Sequence, residues 1–182
     1  MYFGRRMRLF NFPGMIAMTK NIRFVLLIML LTPGLSQAQE SGEENAVREV
    51  ITRLFTGMEK GDSAMVHAVF TEQVTLATAF RDKNKNPVLR REASVEDFLK
   101  AVGTPHKEVW HEETWNLKVQ IDDDFAQAWC DYAFYIDNTF SHCGVDAFQL
   151  HKGKDGWKIF HLADTRRKEG CEIPKPVKNK HR

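Results

Sequence analysis

The stretch from Phe125 to Thr165 constrains this chain more than any other. It reads FAQAWCDYAFYIDNTFSHCGVDAFQLHKGKDGWKIFHLADT. Three runs rich in β-branched and aromatic residues are separated by Asp137-Asn138 and by Gly153-Lys154-Asp155-Gly156, both of them turn chemistry. A meander of three antiparallel strands is the expected result. Upstream, Val109 to Ile121 alternates in polarity and adds a fourth strand, with Asp122-Asp123-Asp124 as the turn. That acidic triplet reads as a solvated tip, because the spaced ligand pattern of a calcium loop is absent.

The turns set a register. A two-residue turn at Asp137-Asn138 pairs Ile136 with Thr139, which places Ala133 opposite His142, Asp131 opposite Gly144 and Trp129 opposite Asp146. A four-residue loop at 153–156 pairs Lys152 with Trp157, which places Phe148 opposite His161, Asp146 opposite Ala163 and Gly144 opposite Thr165. Opposed residues share a face. One face then carries Trp129, Asp131, Tyr135, Phe140, His142, Asp146, Phe148, Leu150, Trp157, Ile159, His161 and Thr165; the other carries Cys130, Tyr132, Phe134, Cys143, Phe160, Leu162, Asp164 and Arg166. The first set mixes large aromatics with acids and imidazoles and is assigned to the helix-covered side.

On that side Asp146 and His161 are diagonal neighbours, about 7–8 Å apart at Cα, close enough for a hydrogen bond. They form the candidate catalytic pair, since an apolar setting raises a carboxyl's pKa and a nearby acid supports an imidazolium. A purely structural pair is the competing reading. Trp129, Asp131, Tyr135, His142, Phe148 and Thr165, with Phe55 from the first helix, are the expected ligand pocket. A one-residue error in either turn would reverse these placements.

Ahead of the sheet, Val47, Val50, Ile51, Leu54, Phe55 and Met58 fall on one helical face from Asn45 onward. Gly61 ends this helix and Asp62 caps a second, Ser63 to Phe70. Val74 to Phe80 reads as a strand, Arg81 to Arg91 as a charged loop with a short strand at Val88-Leu89, and Val95 to Val102 as a third helix capped by Ser94.

The chain opens differently. Lys20 and Arg23 precede an apolar run, Phe24 to Leu31, then Pro33-Gly34 and Leu35-Ser36-Gln37-Ala38. This is the pattern of a secretory leader over 1–38, cleaved near Ala38, with Met15 or Met18 as alternative initiators. The apolar run is about half of the roughly 20 residues a membrane span requires, so no stable insertion is expected after cleavage. Arg5, Arg6, Arg8, Lys20 and Arg23 lie in this segment, which holds none of the acids, so the formal charge of +2 becomes mildly negative without it. That excludes a basic nucleic-acid footprint. The last residues, 173–182, contain Lys175, Lys178, Lys180 and Arg182 beside two prolines and read as a flexible basic tail.

Three cysteines allow one internal disulfide in an exported protein, and their spacing fits no zinc template, so neither a metal nor a cofactor is expected. Cys143 lies beside the end of the last strand, and Gly170 lets the chain turn back at Cys171. A Cys143–Cys171 bond would tie the tail to the sheet.

The order helix–helix–strand–helix–four strands, with AVREVITRLFTGMEKGDSAMVHAVF near the start and KDGWKIFHLADT at the end, resembles the nuclear transport factor 2-like superfamily in its SnoaL-like and lumazine-binding-like branch. The resemblance covers roughly Glu44 to Arg167. It implies a curved sheet wrapped on helices into a cone with an apolar pocket, and a homodimer through the outer sheet face. The superfamily includes steroid isomerases, scytalone dehydratase, polyketide cyclases and non-catalytic binding domains. The isomerases use a tyrosine on the first helix, where this chain has only Phe55 among aromatics, and an acid that Val74 to Phe80 lacks. Steroid isomerisation is therefore disfavoured, and a His/Asp arrangement is closer to the dehydratase.

The expectation is thus an α+β chain: a leader at 1–38, a domain at 39–172 with a cone-shaped curved antiparallel sheet on three N-terminal helices (cystatin-like, nuclear transport factor 2-like), and the tail. An exported domain, periplasmic or secreted, that binds a small apolar ligand is the leading reading. An acid–base dehydratase, isomerase or cyclase using Asp146 and His161 is the second, and a non-catalytic interaction domain the third.

Overall fold

A computed structural model describes residues 33–182, with side chains from Gly42 onward. The leader expected over 1–38 lies outside the described residues as far as residue 32. Helix α1 (Pro33–Lys60) starts earlier than the apolar periodicity alone indicates. Its buried face is the expected one: Val47, Val50, Ile51, Leu54 and Met58 are all in the core. Gly61, at φ +66°, turns the chain out of α1 in a conformation that glycine adopts without strain. Asp62 then caps α2 (Ser63–Ala68), its Oδ1 accepting from the Met65 amide at 2.9 Å.

Strand β1 (Phe70–Arg81) pairs with β2 (Pro87–Arg91), and α3 (Val95–Gly103) crosses to the long strands β3 (Trp110–Asp122), β4 (Phe125–Ile136), β5 (Thr139–Gly153) and β6 (Gly156–Arg166). The sheet order is β2-β1-β6-β5-β4-β3. All neighbours are antiparallel except β1 and β6, so the sheet is mixed where a wholly antiparallel one was expected. The connection from β1 to β6, through α3 and the meander, is long enough to return the chain in the same direction. A short helix, α4 (Lys175–Lys180), ends the chain.

Both turns pair as expected: Ile136 with Thr139, and Lys152 with Trp157. The expected register holds for one further pair in the first hairpin and two in the second, then fails. Between β4 and β5 it shifts by one after Tyr135↔Phe140, so that His142 faces Phe134, Gly144 faces Tyr132 and Asp146 faces Cys130. Between β5 and β6 it shifts after Leu150↔Ile159, so that His161 faces Gln149 and Asp146 faces Asp164. A third irregularity interrupts β3 between Trp115 and Lys118, where Asn116 sits at φ +55°, a conformation asparagine tolerates better than most residues. Each bulge bends its strand and reverses the facing of every side chain beyond it. Together they curve the sheet over α1.

The two faces are therefore a mixture of the expected sets. Cys130, Phe148, Leu150, Trp157 and Ile159 pack with α1, α2 and α3 in the main core. On the opposite face Ala133, Tyr135, Cys143 and Val177 form a second, smaller cluster with Trp115, Phe140, Cys171 and Ile173 around them. Gly144 is required where β5 crosses the end of β6: a Cβ there would lie 1.7 Å from the Thr165 carbonyl oxygen.

The end of the chain is not a free tail. Cys143 and Cys171 are joined, with Cα atoms 6.0 Å apart, while Cys130 is free and buried. Val177 is buried, Lys180 meets Glu113 at 2.7 Å, and the His181 ring stacks on Tyr135 at 3.9 Å between centroids. Apolar Val177 and Ile173, within an otherwise charged segment, supply the contact area that a wholly polar tail would lack. The bridged cysteines are 28 residues apart, a loop whose closure entropy corresponds to about 3–4 kcal/mol. Reduction should lower the urea midpoint by an amount matching that figure, and a Cys143→Ala/Cys171→Ala variant should show the same midpoint with and without reductant.

Candidate functional site

The concave side of the sheet, α1 and α3 enclose a cavity of about 420 Å³. Its apolar wall comes from Leu54, Phe55 and Met58 of α1, Phe98 of α3, and Leu76, Trp110, Phe134 and Leu162 of the sheet. These positions follow from local pattern: helix residues at three- and four-residue spacing face inward, and on each strand alternate residues do so between bulges. The polar wall is the consequence of the bulges. Glu112 on β3, Tyr132 on β4, His142 and Asp146 on β5, and Asp164 and Arg166 on β6 all line the cavity.

Asp146 is the centre of this group. It is 4% exposed, it lies directly across from Asp164, and its Oδ2 has no hydrogen-bond partner. Burial, reinforced by the Asp164 charge and only partly offset by Arg166, holds its pKa well above the usual carboxylate range. Glu112 is raised in the same way by burial and then by Asp146 and Asp164. Asp164 is the member with partners: Arg166 Nε at 2.6 Å and the Tyr132 hydroxyl, which donates to Asp164 at 3.1 Å and to the Thr165 carbonyl at 2.9 Å. The Tyr132 phenol is pushed up by burial and by the Asp164 charge. His142 moves the other way: burial, with help from Arg166, lowers it to about 4, so it is a neutral imidazole at pH 7. It packs edge-on to Tyr132 at 5.7 Å and beside Phe134 at 5.1 Å.

Of the residues expected in the pocket, His142 and Phe55 line this cavity, and so does Asp146. Phe148 lies behind the wall, buried edge-on to Phe55 at 6.2 Å. The others are on the convex side. Trp129 is 53% exposed, Tyr135 packs under the chain end, and Thr165 Oγ1 accepts from the Val145 amide. Asp131 accepts from Asn116 Nδ2 at 2.8 Å, in a separate cleft with Trp115, Arg167 and Glu172.

The Asp146–His161 pair does not form. The one-residue shift between β5 and β6 sends His161 to the opposite face from Asp146, where its Nδ1 meets the Thr75 hydroxyl at 2.6 Å. Tyr132, Phe134, Leu162, Asp164 and Arg166, read from sequence as the other face, take the vacated inward positions. On β3 the inward set likewise changes parity at the bulge, from Trp110 and Glu112 before it to Leu117, Val119 and Ile121 after it. The only forewarning in the sequence is Asn116, a residue type suited to a bulge; nothing in Ser141 or Phe160 marks theirs. Among the described residues no group of three His, Cys, Asp or Glu is placed to hold a metal ion.

The titration behaviour has a definite sign. An aspartate unfolds with a pKa near 3.9. Because folded Asp146 holds its proton to higher pH, its contribution is full below that value and is lost progressively as pH rises above it. Asp146→Asn should therefore gain stability relative to the parent between pH 4 and 8, read as the difference in urea midpoints across that range. Folded His142 binds its proton less readily than the unfolded chain, whose histidines titrate near 6.5. Its contribution is present above that pH and lost as pH falls toward 4. The His142 ring resonances should accordingly keep their neutral-form shifts at pH 5.5.

A family described as "Putative lumazine-binding" matches residues 42–161. Comparison with curated proteins finds no match. Among solved structures, an NTF2-like protein of unknown function from Shewanella baltica aligns at 17% identity and TM-score 0.53, covering 71% of this chain and 97% of the other. An NTF2-like protein with a cystatin-like fold from Novosphingobium aromaticivorans aligns at 13% identity and TM-score 0.60, covering 78% and 92%. A structure from the same organism described as "Putative Scytalone Dehydratase" aligns at 11% identity and TM-score 0.59, covering 76% and 93%. At these identities the structures speak for the fold alone. The family match spans most of the chain, from α1 to His161 of β6, and with it this chain belongs to the family described as putative lumazine-binding, built on an NTF2-like, cystatin-like fold.

Proposed function

We propose that the cavity binds a flat aromatic molecule of about two fused rings and that this binding is the role of the domain. One observation carries the reading: on the wall of a cavity of about 420 Å³, mostly apolar and aromatic, one carboxyl oxygen of Asp146 is buried and unpaired. A buried polar atom without a partner costs about 1–3 kcal/mol, a cost that a ligand's polar group can relieve. The volume falls in the usual range for small-molecule sites, and a few convergent polar groups on an apolar wall are what such sites use to fix orientation. The family description supplies a probe of suitable shape, lumazine itself.

Acid–base catalysis is the second reading, favoured by the opposed titration of two cavity residues. Asp146 keeps its proton and can donate it, while His142 stays unprotonated and can accept one. This replaces the Asp146–His161 assignment, which the opposite facing of the two side chains excludes.

Calorimetric titration with lumazine, and with other two-ring heteroaromatics, tests the principal reading. Saturable binding with a raised Tm is expected in the parent. Ala101→Trp, at the exposed cavity mouth on α3, should remove it with the melting temperature of the unliganded protein unchanged within a few degrees. Heats equal in the parent and in Ala101→Trp would place any binding outside the cavity and overturn the reading. For the second reading, Asp146→Asn should abolish turnover of a bound substrate while its affinity changes less than tenfold.

A further inference from the structure

Among the described residues five carboxyls line the cavity: Glu92, Asp97, Glu112, Asp146 and Asp164. Two guanidiniums do, and both are committed to an acid close by on the chain, Arg90 to Glu92 at 3.2 Å and Arg166 to Asp164 at 2.6 Å. The one imidazole, His142, carries no charge at pH 7. Among the described residues Asp97, Glu112 and Asp146 thus have no cationic partner, and Asp146 is also buried with Oδ2 unpaired. The rest of the lining includes the aromatic rings of Phe55, Phe98, Trp110, Tyr132 and Phe134. Aromatic faces carry negative quadrupole charge and attract cations, most strongly where water is excluded.

We infer that the cavity selects a ligand whose flat aromatic body carries a basic nitrogen, the cation lying against Asp146 with Glu112 beside it. The inference rests on the reading of the cavity as a ligand site and narrows it. A neutral ligand would leave these carboxyls holding their protons, and an anion would meet the Asp164 charge on the same wall. An ammonium or cationic ring nitrogen supplies the charge the wall lacks and donates to the unpaired oxygen. Binding a cation then lets the carboxyl release its proton, so affinity for an amine rises with pH until that proton is lost in the free protein. Among the described residues, the charged and titratable groups facing Asp146 are Glu112 from β3, Cys130 and Tyr132 from β4, His142 on its own strand, and Asp164 and Arg166 from β6; α1 presents Leu54, Phe55 and Met58 to the cavity.

Three indoles of nearly equal size separate charge from shape: tryptamine, a cation; tryptophol, neutral; and indole-3-propionate, an anion. Titrated calorimetrically into the whole protein at pH 7, tryptamine should bind at least tenfold more tightly than tryptophol and indole-3-propionate more weakly still. Repeating the tryptamine titration in buffers of different ionisation enthalpy should show proton release. Asp146→Asn should bring tryptamine and tryptophol within about twofold of each other; if that variant does not fold, Glu112→Gln should reduce the preference in the same direction. Equal or stronger binding of tryptophol or indole-3-propionate in the parent overturns the inference and leaves the cavity reading standing. A preference for tryptamine that survives Asp146→Asn or, where that variant does not fold, Glu112→Gln overturns it as well. No binding of any of the three, with saturable lumazine binding intact, overturns the inference alone; no binding of the indoles or of lumazine removes the cavity reading as well.

Discussion

A strand commits each side chain to one face of its sheet, and one extra residue reverses the commitment for everything beyond it. The site in this protein depends on that constraint at three places: between Trp115 and Lys118 in β3, beside Ser141 in β5 and beside Phe160 in β6. Without the shift at Ser141, His142 would share a face with Phe140 and lie over the second cluster beneath the chain end. With it, His142 and Asp146 look into the concavity beside Tyr132 and Phe134. The same irregularities bend the sheet toward α1, so the cavity and its polar wall have a common origin.

The chemistry of the wall follows from enclosure. Two acids held near a third in a space lined with phenyl and indole rings cannot all ionise, because desolvation and mutual repulsion act in the same direction. Asp164 takes the available cation, Arg166, and the Tyr132 hydroxyl, so that Asp146 and Glu112 hold their protons to higher pH than an ordinary carboxyl. An arrangement of this kind costs stability at neutral pH, which is the usual mark of a group retained for something other than folding. Ligand binding and proton transfer draw on the same property, a carboxyl that is neutral until something enters beside it.

On the convex side the chain end is a structural part of the domain. The Cys143–Cys171 bond, the two backbone hydrogen bonds between Cys143 and Arg167, and the stacking of His181 on Tyr135 close a layer over β4 and β5. Those strands are covered in part on both faces, which explains why neither of their two sets of residues reads as a water-facing surface. Trp129 and Phe125 remain exposed beyond the reach of that layer.

The sequence by itself determined what depends on neighbours a few residues apart. The apolar spacing of α1, the Gly61-Asp62 junction, the two hairpin turns with their first pairs, and the α+β order all rest on local periodicity and turn chemistry. So does the inward facing of Phe55. Tertiary structure decided what depends on the sum of register along a strand. Whether Asp146 meets His161 or Asp164 is settled by one residue at Phe160, and a bulge there gains its stability from the fit of the whole curved sheet to α1, not from the residue inserted. The parallel pairing of β1 with β6 and the docking of Val177 are of the same kind: each joins segments far apart in the chain, and no local pattern carries their energy.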